Sequence, residues 1–195
     1  MLTVQISDIH WRGITRHQEY TEAFNRLYDK IKAIKPDLII NTGDSFHTKT
    51  QGITPEVIEK LTWMFRSLDE IAPTITILGN HDGNLSNNDR QDIVSPMFDA
   101  LRLPRSILCK QSFSFNLEDK LPQIKDASKF RFHIYSPFDQ DNWDKIQIDS
   151  RRINIGLFHG SMLGCETDQD FMLIEAEADL SYFKNIDFLL TMFHK

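Results

Sequence analysis

LIINTGDSFH, residues 38–47, opens on three branched aliphatics and closes on Gly43, Asp44 and His47. The apolar run reads as a buried strand. Gly43 suits the turn that must follow, but turn chemistry asks for no pairing of a carboxylate with an imidazole. Taken singly, an Asp after Gly is a turn former and a His beyond a strand is a solvated loop residue. The pattern gains weight because it recurs. "LTVQISDIH" (2–10) runs into Asp8 and His10, and "TITILGNHD" (74–82) into Asn80, His81 and Asp82. "INIGLFHG" (153–160) delivers His159, and "IDFLLTMFH" (186–194) delivers His194. Of the seven histidines, only His17 and His133 fall outside this set.

Around these segments strand and helix patterns alternate. Tyr20, Phe24, Leu27, Tyr28, Ile31 and Ile34 have the spacing of an amphipathic helix over 16–35, which Pro36 ends. Thr54 is placed as N-cap and Pro55 as first residue of a second helix, with Val57, Ile58, Leu61, Met64, Phe65 and Leu68 on one face. "PTITIL" (73–78) is the third strand. This β-α-β order implies parallel strands covered by helices on at least one face. In such sheets ligands bind beyond the carboxyl ends of the strands, so the strand-end donors are expected to converge there.

Later segments read as follows. Residues 83–92 form a polar surface loop, and Ile93 to Leu101 a helix with Pro96 in its first turn. "SILC", "SFSFNL" and "FRFHIY" are strand-like, and the strict alternation of "SFSFNL" marks an antiparallel strand with one solvated face. Residues 153–158 and 186–190 are of the buried-strand type, and 118–128 is a loop or short linker.

The 195 residues fit one domain with a sizeable core, and the composition, 41% hydrophobic and 26% charged, is that of a soluble globular protein. Two cysteines without a CxxC pair indicate a reducing compartment. The N-terminus carries no signal-peptide pattern and no apolar run approaches the roughly 20 residues of a membrane span, so a cytoplasmic location is expected. A net charge of −6 argues against a broad nucleic-acid-binding face, unless bound dications reverse the local sign.

Asp, His and Asn without cysteine suit Mn, Fe or Zn, and a carboxylate between two ligand sets can bridge two ions for in-line displacement at phosphorus. "DIH", "GDSFH", "GNHD" and "FHG", in that order over nearly the whole chain, resemble the calcineurin-like metallophosphoesterases. "SDIHWRG" and the two-residue gap between Asp and His in "GDSFH" look most like the SbcD-type nuclease subunits, including those of T-even-type phages. The resemblance implies an α/β fold of the αββα sandwich type, with two central mixed sheets flanked by helices. It implies two divalent metal ions, most readily Mn2+, with Fe2+, Zn2+ or Mg2+ as alternatives. Asp8 and His10 match ligands of the first ion, Asp44 the bridging carboxylate, Asn80 and His159 ligands of the second, and His194 a further ligand of the first. His81 matches the acid beside the leaving oxygen, oriented by Asp82, and His47 a histidine close to the scissile phosphate. The partners implied are DNA, an SbcC-like SMC-type ATPase and a second copy of the chain, with no membrane; the location is the host cytoplasm if the gene is a phage's.

Two departures qualify the match. Where the pattern has Gly-His before the final x-His, this chain reads Thr191-Met192-Phe193-His194, and a thioether is a poor donor to Mn or Mg. Relatives also continue into further strands, a capping domain and an ATPase-binding helical segment, so 1–195 is expected to be a C-terminally incomplete catalytic domain. Three functions stay open: a metal-dependent DNA exo- or endonuclease subunit, a small-molecule or protein phosphatase or phosphodiesterase, and an interaction subunit impaired by Met192.

Overall fold

Three short parallel strands and two capped helices make the frame on which the candidate residues sit. The computed structural model describes residues 1–12, 16–47, 53–83, 92–165 and 172–192. Strands β1 (Thr3–Ile6), β2 (Leu38–Asn41) and β3 (Thr74–Ile77) pair in parallel, and β4 (Ser106–Cys109) follows β3 at the edge. All four residues of β2 and of β3 are buried, as expected for strands covered on both faces. Ile6 lies beside Asn41, and Asn41 beside Thr76. The carboxyl ends are therefore flush, and three loops leave the sheet at one level.

Helix α1 (His17–Ile34) buries Phe24, Tyr28 and Ile31, one residue per turn on a single stripe. It stops where Lys35 turns left-handed and returns its N–H to the Ile31 carbonyl, just before Pro36. Helix α2 (Pro55–Ile71) begins as expected, with the Thr54 hydroxyl accepting the N–H of Val57. Its face of Val57, Leu61, Met64, Phe65 and Leu68 is buried, each side chain contributing about 1.5–3 kcal/mol. Phe24, Tyr28 and Trp63 pack edge to face between the two helices, and Trp11 lies tilted at 30° to Phe24. Helix α3 (Ser95–Leu101) holds Pro96 in its first turn, and Asp92 caps it through the N–H groups of Val94 and Ser95. The expected loop at 83–92 lies almost wholly outside the described residues.

The chain divides into two compact units, Met1–Leu108 and Cys109–Lys195, and the second carries its own sheet in the order β5-β6-β7-β8. Strand β5 (Phe113–Asn116) is antiparallel to β6 (Phe130–Tyr135), while β6, β7 (Ile153–His159) and β8 (Phe188–Met192) run parallel. Two four-stranded sheets flanked by helices are the α/β class expected from the sequence. Tyr135, Trp143, Phe158, Met162 and Phe183 belong to the hydrophobic core of this unit. No described helix is long and apolar enough to cross a membrane.

Two sequence expectations are corrected. Strand β8 is not of the buried type: it is the outermost strand of its sheet among the described residues, and Phe188 is 61% exposed. An apolar run cannot by itself tell an edge from a centre. Nor is 118–128 only a loop or short linker, although 121–126 lie outside any helix or strand. Leu117–Lys120 form helix α4, Ala127–Lys129 a 3-10 turn, and Leu117, Leu121, Ile124 and Ala127 are buried at three- and four-residue intervals.

A polar chain crosses the second sheet. His133 of β6 is fully buried, with Nδ1 2.8 Å from Ser114 Oγ of β5 and Nε2 2.9 Å from Asn154 Oδ1 of β7. The Asn154 amide nitrogen donates to the carbonyls of Asp149 and Arg152, so its oxygen faces the ring. His133 thus carries its proton on Nε2 and accepts the Ser114 hydroxyl at Nδ1. Burial pushes the imidazole pKa below its ordinary 6.5, with Arg131 adding to the effect and the Asn154 bond opposing it. The unfolded chain binds this proton near pH 6.5 and the folded chain only at lower pH, so stability falls as pH drops through that window. The urea midpoint of the wild type is expected to fall more between about pH 7.5 and about pH 5 than that of His133→Gln. Parallel falls in the two proteins would refute the assignment.

Candidate metal centre

The loops leaving β1 and β2 go on pairing after the strands end. The N–H groups of Asp8, His10 and Trp11 donate to the carbonyls of Gly43, Asp44 and Ser45, and His47 returns its own to Trp11. This register sets Asp8 and His10 beside Asp44. Asp8, His10 and Asp44 all take the left-handed conformation, at φ 54°, 50° and 54°. Residues with a Cβ rarely adopt it, and such residues gather at functional sites.

Asp44 is the centre. Its side chain has no solvent exposure. Oδ1 accepts the N–H of His81 at 2.8 Å, while Oδ2 lies 3.6 Å from His10 Nε2 and 4.0 Å from His81 Nε2. His10 Nε2 is also 3.5 Å from Asp8 Oδ1, whose partner oxygen accepts the Ser7 hydroxyl at 2.6 Å. The bond to Asp8 raises the His10 pKa; burial opposes this, and the charge of Asp44 supports it. The ring of His81 is fixed by Nδ1, 2.7 Å from the His47 carbonyl, so Nε2 is the nitrogen turned towards Asp44. The ring of His47 stands parallel to it, centroids 6.4 Å apart. Burial lowers the His47 pKa, as do Arg12, His10 and His81.

Asp82, expected to orient His81, is engaged elsewhere as well: its buried carboxylate accepts the N–H groups of Asp44, Phe46 and Gly79. Asn80 lies between Gly79 and His81 on the same loop, and its Oδ1 is buried with no hydrogen-bond partner among the described residues. In the second unit β7 ends on His159, which is buried and lies opposite Met192 of β8 in the parallel register. His194 falls outside the described residues.

These features fit a divalent cation. A carboxylate without solvent exposure is costly unless a cation or several donors face it, and Asn80 offers a buried oxygen that a cation would satisfy. His10, Asp44 and His81 present ligand atoms all within 4.8 Å of one another. Carboxylate, imidazole and amide oxygen without thiolate select hard to borderline divalent ions.

Of the two glycines at this edge Gly43 was noted in the sequence, whereas Gly79 was not, although it stands beside a donor in "GN". Gly43, at φ 100°, and Gly79 are in backbone contact, and a Cβ on Gly79 would overlap the carboxylate and amide nitrogen of Asp44. Gly79→Ala is expected to cost about 1–3 kcal/mol in thermal unfolding and to displace Asp44, with loss of Mn2+ uptake in a calorimetric titration. Asp44→Asn should lose the metal yet keep the fold, because Asn tolerates the left-handed conformation. Wild-type Mn2+ affinity in either variant would remove Asp44 from the centre.

Comparison with known proteins agrees with this geometry. A family model described as calcineurin-like phosphoesterase matches residues 1–190. An uncharacterized protein of Acanthamoeba polyphaga mimivirus is 31% identical over 189 residues, covering 95% of this chain and 14% of that protein. The chain thus spans about a seventh of that relative's length. Phosphoesterases of this family are metal-dependent hydrolases with a dinuclear divalent centre, and this chain, matched from its first strand to its last, belongs to the calcineurin-like phosphoesterases.

Proposed function

We propose that the chain hydrolyses phosphodiester bonds in DNA as an SbcD-type nuclease subunit, using two Mn2+ ions. The observation that carries the reading is the flush edge of the first sheet, which brings Asp8, His10, Asp44, Asn80 and His81 to one level. In this reading Asp8, His10 and His194 would hold the first ion, Asn80 and His159 the second, and Asp44 would be shared by both. When bound, the ions supply positive charge for the phosphoryl oxygens and acidify a water near neutral pH. Everything else falls to side chains. His81 donates its Nδ1 proton to the His47 carbonyl, so when doubly protonated it offers Nε2–H to a leaving 3′ or 5′ oxygen. Arg12 adds positive charge beside His47, whose lowered pKa favours the neutral ring, a hydrogen-bonding group for a phosphate oxygen.

The choice of DNA over other phosphoesters rests on "SDIHWRG", the spacing of "GDSFH" and the presence of His47. The partners that go with it are an SMC-type ATPase subunit and a second copy of the chain; the compartment is cytoplasmic. Mn2+-dependent digestion of linear and single-stranded DNA is expected, with kcat lowered roughly 100-fold or more in His81→Asn. A metal-loaded chain that leaves DNA intact with the ATPase supplied, yet turns over an aryl phosphate or cyclic nucleotide, would establish the phosphatase alternative instead.

One observation favours a second reading, that of an impaired subunit. Met192 lies beside His159, where the family pattern has another ligand. Weak binding of the second ion follows, and Met192→His should then raise turnover at least about tenfold, or ~1.4 kcal/mol of barrier. High activity with Met192 in place would dispose of this reading.

A further inference from the structure

We propose that Asp82 is the positioning residue of the metal centre, acting on Asp44 through backbone N–H groups and not through the His81 ring. The inference rests on the metal-centre reading above. Asp82 is 2% exposed. Its Oδ2 accepts the N–H of Asp44 at 2.9 Å and of Gly79 at 3.0 Å, and its Oδ1 that of Phe46 at 3.1 Å. These amides come from the two loops that follow β2 and β3, so one carboxylate ties both loops together. Bonds to an ionised acceptor are about twice as strong as neutral ones. Two of them bracket Asp44, at its own N–H and at that of Phe46, and so hold a residue whose φ of 54° is unfavourable for a side chain with Cβ.

The main chain of Asp82 is anchored too. Its N–H donates to the Gly79 carbonyl and its carbonyl accepts from Ile93. The His81 ring has a separate anchor in the His47 carbonyl. The division of labour is therefore geometric. Asp82 sets where the bridging carboxylate stands, and His47 sets how the His81 ring turns. An amide at 82 keeps one acceptor oxygen and turns an NH2 group on the remaining backbone donors.

The test is Asp82→Asn in the full chain, titrated with Mn2+ alone after metal removal, together with amide hydrogen exchange of the metal-free wild type. Mn2+ affinity is expected to fall about tenfold or more. In the metal-free wild type the amides of Asp44, Phe46 and Gly79 should exchange slowly, and in the variant those three should speed up selectively. A residue that only supports the fold would lower the melting temperature and leave Mn2+ affinity of the folded protein unchanged. Equal affinities, with turnover alone reduced, would overturn the proposal in favour of action through His81. Should the variant not fold, rapid exchange of the three amides in the wild type overturns it and slow exchange supports it. A wild-type chain that takes up no Mn2+ brings down the metal-centre reading itself, and this proposal with it.

Discussion

A carboxylate with no access to solvent, standing at the end of a buried parallel strand, is the constraint around which the first unit is organised. Asp44 cannot keep its charge there without compensation, since an isolated buried anion costs several kcal/mol even after relaxation. The fold supplies part of this from the chain: the N–H of His81 on one oxygen and two imidazoles facing the other. A divalent cation held by these same donors would offset more of it. That explains the crowding of donors at this edge, since each neighbour either offsets the charge of Asp44 or would share the ion drawn to it.

The same constraint fixes the local backbone. Bringing the β2 and β3 loops close enough for the carboxylate to lie over Gly79 excludes any Cβ on that residue. Carrying the β1 loop alongside, bond by bond from Asp8 to Trp11, forces Asp8, His10 and Asp44 into left-handed conformations. Such residues are unfavourable by roughly 1–2 kcal/mol each, offset here by the loop-to-loop hydrogen bonds. The arrangement is strained locally and supported globally, as is usual where side chains must be aimed.

Most of the first unit was legible in the sequence, because its signals are local. Thr54 with Pro55 marks a helix start, Lys35-Pro36 a helix end, and an aliphatic run before Gly-Asp a strand end; none of these needs tertiary information. The strand-end donors were legible for the same reason. What escaped was set by partners distant in sequence. The three amides bound by Asp82 come from residues up to 38 positions away, so the "GNHD" string shows a carboxylate and not what it holds. Exposure of β8 depends on its having a strand neighbour on one side only among the described residues, and burial of Leu117, Leu121, Ile124 and Ala127 on how a short irregular segment packs. Propensity carries neither.

The second unit shows how a polar network can fix which side chain stands at a strand end. Asn154 and Asp187 bind reciprocally: the N–H of Asn154 donates to the Asp187 carboxylate at 2.7 Å, and the N–H of Asp187 to the Asn154 carbonyl at 2.9 Å. Asn154 is held in turn by His133, and His133 by Ser114, so one polar chain runs through β5, β6 and β7 to the residue before β8. Apolar packing at an exposed edge would tolerate slippage, whereas these bonds do not. A one-residue slip would turn every β8 side chain to the other face. The polar chain therefore fixes the register that sets Met192, and not Thr191, beside His159. A thioether at that place is then no accident of loose pairing: it is held there by the same bonds that order the sheet, so sliding the strand cannot put another donor beside His159 and only a change of residue can.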